Sequence, residues 1–327
     1  MSTPPWNLDL MHFGKLPCRG DFVRSTPHAP LLENLDHWQT QFLERLSVDP
    51  RWKLVYDAAA PMQFAILGNK SSVGLAGTWR PSRDASGRRF PFLLVAAFDL
   101  PDSHTFIAMS PVALRQVWSS LAQSSANAFE AEDMTAAQAG LAGRVNFSEP
   151  RGAARAALID FLETHTVASL EQMLNVSGNR LSVRQAILAL GLLLQPVMAQ
   201  GPARLTKVLS LPIVADPSVR FLVSAFWLSM IVGFFRRSEV EFGVFLPERI
   251  EHPQLLLSFQ GASVNAMCAS VDTTAVPEGA VSLSDAEWVE AEVAADYGLR
   301  KLSNYLKDPS MSLVQVLRTY EEVFLGM

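Results

Sequence analysis

"MQFAILGNKSSVGLAGTWRPSRDASGRRFPFLLVAAF", residues 62–98, decides the fold of this chain. It holds three apolar runs of strand length, "MQFAIL", "VGLAGTW" and "FPFLLVAAF". The turn-rich "GNKSS" between the first two makes them a hairpin. The third run is nearly continuous in its apolar character, the pattern of a central strand. Upstream, Leu31, Leu32, Leu35, Trp38, Phe42, Leu43 and Leu46 recur at three- and four-residue spacing, which predicts a helix over 31–46 with one apolar stripe. Pro30 suits its first turn, and "VDP" at 48–50 ends it.

Downstream, Ser110–Pro111 is expected to open a second amphipathic helix bearing Leu114, Val117, Trp118 and Leu121. Residues 124–152 are rich in Ala, Ser and Glu and weakly patterned, which predicts a loop. "ARAALIDFLETHTVASLEQML" reads as one helix and "SVRQAILALGLLLQPVMAQ" as the next, Ser182 and Gln185 having capping-box spacing. Strands are expected again at 221–233, 240–246 and 254–260. The tail reads as helical from Ser284, with Ser284/Glu287 and Ser312/Gln315 as further capping pairs. The fold class is α+β: a mostly antiparallel central sheet with helices packed on it and a C-terminal helical extension. The expected organisation is an N-terminal domain over 1–135, a second α/β lobe over 136–280 and the helical extension over 281–327.

Composition narrows the function. With 27 basic and 32 acidic residues the chain has a formal net charge of −5, which argues against a general nucleic-acid binder. Cys18 and Cys268 are far apart and match no metal spacing, so two free thiols in a reducing compartment are expected. The N-terminus lacks the basic-then-apolar pattern of a secretory signal. "FLVSAFWLSMIVGFF", Phe221 to Phe235, has 15 uncharged residues, short of the roughly 20 that span a bilayer. No membrane insertion is expected, and the segment reads as one or two buried strands.

Chemistry-bearing motifs are sparse. "FGKLPCRGDF", residues 13–22, is no phosphate-binding loop: Lys15 is followed by Leu16, and Pro17 interrupts the row of backbone N–H donors. No nucleophile elbow, no His-Glu-x-x-His and no Gly-x-Gly-x-x-Gly is present. The six histidines are scattered, and "EAEDM" at 130–134 reads as a solvated acidic loop. No catalytic residue, metal site or cofactor is expected, hence no enzyme. Against this, Arg80, Arg83, Arg88 and Arg89, with Lys70 on the preceding turn, set five cations around one loop beside the single Asp84. They are either a solvated hairpin loop or a patch for an anionic partner, since Arg forks pair with carboxylate or phosphate in two-point fashion.

Two motifs in order give a resemblance. "FGKLPCRGDFV" followed by "WRPSRDASGRRFPF" resembles the TagF family of type VI secretion system-associated proteins, whose pattern is matched at Gly14, Lys15, Pro17, Gly20, Asp21 and Phe22, at Trp38, and at Pro81, Ser82, Asp84, Gly87, Arg88, Phe90 and Pro91. The match is clear over about residues 10–100. The resemblance implies a cytoplasmic, non-enzymatic regulator, a post-translational repressor of type VI secretion that binds a forkhead-associated scaffold protein. Within the first motif Gly14 and Gly20 allow tight turns, Pro17 stiffens the link, and Phe13 and Phe22 can anchor both ends in the core. Asp21 either caps a neighbouring backbone group or pairs with Arg88, tying the two motifs into one corner. Two other readings stand beside the regulator: a structural or assembly subunit of the secretion apparatus, and a small-ligand-binding domain using a cleft beside Lys15, Asp21 and Arg88. The oligomeric state is not legible.

Overall fold

The computed structural model describes residues 8–26, 28–100, 103–141, 152–272 and 279–326. Among them the strands are β1 (Asp9–Gly14), β2 (Val23–Arg24), β3 (Met62–Gly68), β4 (Val73–Arg80), β5 (Phe92–Asp99), β6 (Val208–Pro212), β7 (Glu241–Pro247), β8 (Gln254–Ser258) and β9 (Ala280–Ser282). They form one sheet in the order β2-β1-β5-β4-β3-β7-β8-β6-β9, antiparallel throughout except for the β6–β9 pair. The helices are α1 (Ala29–Leu46), α2 (Trp52–Asp57), α3 (Ser103–Ala113), α4 (Arg115–Glu130), α5 (Met134–Leu141), α6 (Ala153–Thr164), α7 (Val167–Val176), α8 (Val183–Gln200), α9 (Arg220–Val232), α10 (Val264–Val271), α11 (Val289–Ala295), α12 (Tyr297–Leu306) and α13 (Leu313–Phe324).

The sheet is covered on both faces. Side chains alternate across a strand, and those of β3 divide accordingly. Met62, Phe64 and Ile66 join a core with Trp38 and Phe42 of α1, Tyr56 of α2 and Met267 of α10. Ala65 and Leu67 join the larger core built by α3 to α9 and α11 to α13. Double coverage explains why β3 and β5 read as unbroken apolar runs although the sheet is antiparallel. The hairpin and the central β5 stand where the pattern put them, with β5 between β1 and β4.

Several expectations are corrected. The 221–233 segment is no strand: it is helix α9, with 11 of its residues buried from Arg220 to Val232. A helix buried all round has no polar face, so its periodicity vanishes and a short apolar run cannot be told from a strand. Its Trp227 Nε1 donates to the Pro212 carbonyl at the end of β6 at 2.8 Å. Ser110–Pro111 does not open a helix but lies inside α3. There the Ser110 hydroxyl donates to the Ile107 carbonyl at 2.9 Å, an acceptor that Pro111, lacking an N–H, cannot serve. Residues 124–141 are largely helical, α4 running to Glu130 and α5 following; positions 142–151 of the expected loop lie outside the described residues.

The helix expected over the 154–174 stretch is two. Thr166 breaks it and caps α7 in a reciprocal box with Ser169. "WVEAEVAADYGLRKLSNYL" is likewise split, because the Asp296 carboxylate accepts the Leu299 N–H at 2.8 Å and starts α12. Ser284 and Glu287 cap no helix, since α11 begins only at Val289. Ser182 accepts the Gln185 N–H, and Ser312 and Gln315 form the full box. The short strands β1, β2, β6 and β9 and the helices α2 and α10 had no expectation.

Helix α8 is long and apolar enough by length and composition to cross a membrane, with half of its residues buried inside the protein. The C-terminal helices pack into the larger core: Tyr320 and Phe324 of α13 are buried, and the Phe324 ring rests on Gly191 of α8, where any side chain would collide with it. Truncating a buried Phe costs about 3–5 kcal/mol. Phe324→Ala should therefore lower the thermal unfolding midpoint by several degrees, read by calorimetry. An unchanged midpoint would show α13 to be a loose appendage.

Candidate functional site

The two motifs fold into one corner where β1 and β4 end and β5 begins. The first occupies the loop after β1. Gly14 pairs with both Val23 and Phe92, and its φ of +132° and its contact with the Pro91 carbonyl exclude a side chain. The second is a small hairpin between β4 and β5. Phe90 N–H donates to the Ser82 carbonyl, Arg83 bridges to Arg89, and Gly87 N–H closes the tip on the Asp84 carbonyl at 2.8 Å. Pro91 leads into β5, and its carbonyl lies against Gly14.

Asp84 joins the two loops. It is 2% exposed, and its carboxylate accepts from Lys15 Nζ at 2.9 Å, Ser86 N–H at 3.0 Å, the Ser86 hydroxyl at 2.7 Å, Arg88 N–H at 2.9 Å and Arg88 Nε at 2.8 Å. Burial pushes its pKa up, but the hydrogen bonds from Lys15, Ser86 and Arg88 outweigh burial and hold the carboxyl well below the usual range. Three more bonds stitch the corner: Ser82 Oγ donates to the Lys15 carbonyl at 2.6 Å, Ala85 N–H to the Arg19 carbonyl at 2.9 Å, and Arg88 Nη2 to the Gly20 carbonyl at 2.5 Å. Behind them Tyr56 of α2 exchanges hydrogen bonds with Ser82, its hydroxyl accepting the N–H at 2.9 Å and donating to the carbonyl at 3.1 Å. Burial pushes the Tyr56 pKa up, so it stays a neutral donor.

The motifs thus meet as expected, but through different partners. Asp21 is exposed and caps the Phe22 N–H at 2.8 Å; Arg88 pairs with Asp84, and Lys15 supplies the tie between the motifs. Phe13 is buried in the core while Phe22 is 41% exposed. Phe22 nevertheless stacks on Phe13 at 5.6 Å and meets Phe90 edge-on at 4.8 Å. Trp38 lies apart from the corner, against Phe64 and Phe245 under the sheet.

The five cations do not form one free patch. Lys70 sits in the β3–β4 turn, separated from Arg80 by the length of β4, about 20 Å or more. The Arg80 guanidinium lies 4.4 Å from the centre of the Phe129 ring on α4, and burial lowers its pKa. Arg89 holds Asp57 of α2 in a two-point pair at 2.9 and 2.6 Å, and these bonds keep the Asp57 carboxyl low. Arg83 reaches Asp57 only at 3.7 Å, with 56% of its side chain exposed. Asp57 and Tyr56 were missed by sequence reasoning, because a six-residue helix carries too little periodicity to show which of its residues turn inward.

Among the described residues no group of three His, Cys, Asp or Glu could hold a metal ion. Cys18 and Cys268 are free, and burial pushes the Cys268 thiol up to about 11. At "EAEDM", Asp133 caps the Ala136 N–H at 2.8 Å.

A folded-state pKa below the unfolded value gives stability that is present above the unfolded pKa and lost as pH falls toward the folded one. Asp84 should therefore contribute to an acid-labile arm beginning below about pH 5. Denaturant midpoints from pH 7 to pH 3 should fall for the wild type, and less steeply for Asp84→Asn, which starts from a lower stability at pH 7. Parallel curves would show that Asp84 bears no share of the acid arm.

Residues 12–142 match the model of the TagF N-terminal domain, described as type VI secretion system-associated. No curated protein matches. The crystal structure of PA0076 from Pseudomonas aeruginosa PAO1 is 22% identical over a stretch covering 43% of this chain and 65% of that chain, with a TM-score of 0.35. Residues 12–142, which contain the whole corner, thus match the TagF N-terminal domain, described as type VI secretion system-associated.

Proposed function

We propose that the protein is a non-enzymatic regulator of type VI secretion, a cytoplasmic, post-translational repressor that acts by binding a forkhead-associated scaffold protein. The match of residues 12–142 to the TagF N-terminal domain carries this reading. The use of the motif side chains supports it. Asp84 and Lys15 are the groups of the corner best suited to proton transfer or ligand capture, and both are buried and spent on each other. General acid–base chemistry needs a titratable group within reach of a substrate, and a carboxylate saturated by five donors offers none. The same saturation disfavours a ligand site beside Lys15, Asp21 and Arg88. What the corner presents outward is shape and positive charge, the properties of a binding surface.

Secretion of a type VI marker protein tests the sign of regulation. It should rise in cells lacking this chain and fall in cells overproducing it. Loss of secretion on deletion would instead make the chain an assembly subunit of the apparatus.

A further inference from the structure

Where the two motifs meet they leave an opening. Pro17 of the first motif and Pro81 and Ser82 of the second line a notch of about 200 Å³, completed by the Tyr56 and Phe129 rings. Arg83 and Asp57 form the remaining wall. We propose that this notch and Arg83 together receive an acidic segment of the partner protein, one apolar side chain of the segment entering between the two prolines while an adjacent carboxylate pairs with the Arg83 guanidinium. The proposal rests on the protein-binding reading above and names the surface and the chemistry it selects.

Three observations carry it. The first is the state of Arg83. Asp57 is already engaged by Arg89 in a two-point pair, so Arg83, 3.7 Å away, keeps its donors for another carboxylate. An exposed ion pair at that length is worth little and is readily exchanged. The second is rigidity. Pro17 and Pro81 have fixed φ, the Tyr56 hydroxyl is tied to Ser82 on both sides, and Phe129 is covered by the Arg80 guanidinium. A wall already ordered loses little entropy when a partner lands on it, and a pocket of aromatic and proline surface beside an arginine has the make-up of an interface hot spot. The third is charge. With the buried Lys15 and Asp84 cancelling each other, Arg19, Arg83, Arg88 and Arg89 face Asp21 and Asp57 at this corner, on a chain whose formal net charge is −5. A locally positive surface on an acidic protein steers and selects an acidic partner.

Size and lining discriminate among occupants. The notch is smaller than the roughly 300–1,000 Å³ of small-molecule sites and has room for a single side chain. Its proline and aromatic walls match an apolar group, which a bare phosphate would leave unfilled. A second, open cleft of about 1040 Å³ is lined by α2, α10, the β7–β8 loop and the strands β6, β8 and β9. Leu54 and Ile250 are exposed along it, but its charges are mixed, with Arg51 and Arg249 beside Glu248, Glu251 and Asp272. It carries no comparable selection for a partner.

The test uses the purified full chain and the purified forkhead-associated scaffold protein. Calorimetric titration should show an affinity that falls as salt is raised from 50 to 300 mM (about these values), by screening. Arg83→Glu should weaken binding about tenfold or more at the lower salt, with its unfolding midpoint near the wild type's. Arg83→Gln, which keeps the shape and removes the charge, should fall in between and guards against misfolding of the charge reversal. Hydrogen exchange with the scaffold bound should protect residues 14–20, 80–90 and 124–130, which line the notch side and not the larger cleft. Equal binding by both variants, or protection confined to the 1040 Å³ cleft, would overturn the inference while leaving the protein-binding reading intact. A wild-type chain that does not bind the scaffold at all would remove that reading, and the inference with it.

Discussion

A carboxylate taken out of water is costly unless donors replace its hydration, and the N-terminal corner of this protein is organised around meeting that cost for Asp84. Lys15 comes from one motif, and Ser86 and Arg88 from the other. Lys15 cannot reach Asp84 unless the first loop turns at Gly14 and its carbonyl receives the Ser82 hydroxyl. Arg88 cannot lie along Asp84 unless the second loop turns at Gly87. Each constraint is local, yet each is satisfied only when the other loop is in place. The two segments, nearly 70 residues apart between Lys15 and Asp84, therefore specify one structure jointly. Because the ionised groups are consumed in holding the corner, its outer surface is left with prolines, aromatic edges and the loosely held Arg83.

The sheet supplies the platform. Its two faces are unlike: α1, α2 and α10 form a thin layer on one side, while α3 to α9 and α11 to α13 form a thick one on the other. The corner lies where β1 and β4 end and β5 begins, close to α2 and to the C-terminal end of α4, so the notch draws its walls from both layers: Tyr56 from the thin one and Phe129 from the thick one. The β3–β7 pairing joins strands from the early and late parts of the chain into one ladder. Burial on the thick side, including α13, thereby steadies the strands that carry the motifs.

Much of this was legible. The three runs over 62–98 gave the meander, because apolar strands bounded by turn residues leave few other arrangements. The α1 stripe was legible because only one of its faces is buried. The joining of the two motifs into a corner was anticipated from their residues, and the match to the TagF N-terminal domain agrees with that family assignment. What failed did so for identifiable reasons. Helix α9 is buried all round and so has no period to read. The helix breaks at Thr166 and Asp296 turn on single caps inside otherwise helical composition. Of the two readings of Asp21, the backbone cap is the one found and the pairing with Arg88 is not, because sequence separation says nothing about which of several carboxylates a given cation reaches. Lys15, an ordinary surface residue by type, is 5% exposed. Asp57, which neutralises part of the arginine loop, comes from a helix too short to announce itself.

The motif residues form one coupled unit rather than two independent loops. A double-variant comparison of Lys15→Met and Asp84→Asn in denaturant unfolding tests it most directly, since residues sharing one network do not give additive losses. Asp84→Asn strands a buried ammonium without its counter-charge, and replacing Lys15 as well removes that penalty. The double variant should unfold at a midpoint no lower than that of Asp84→Asn alone. Losses that simply add would contradict it, and would leave the two motifs as neighbours that happen to touch.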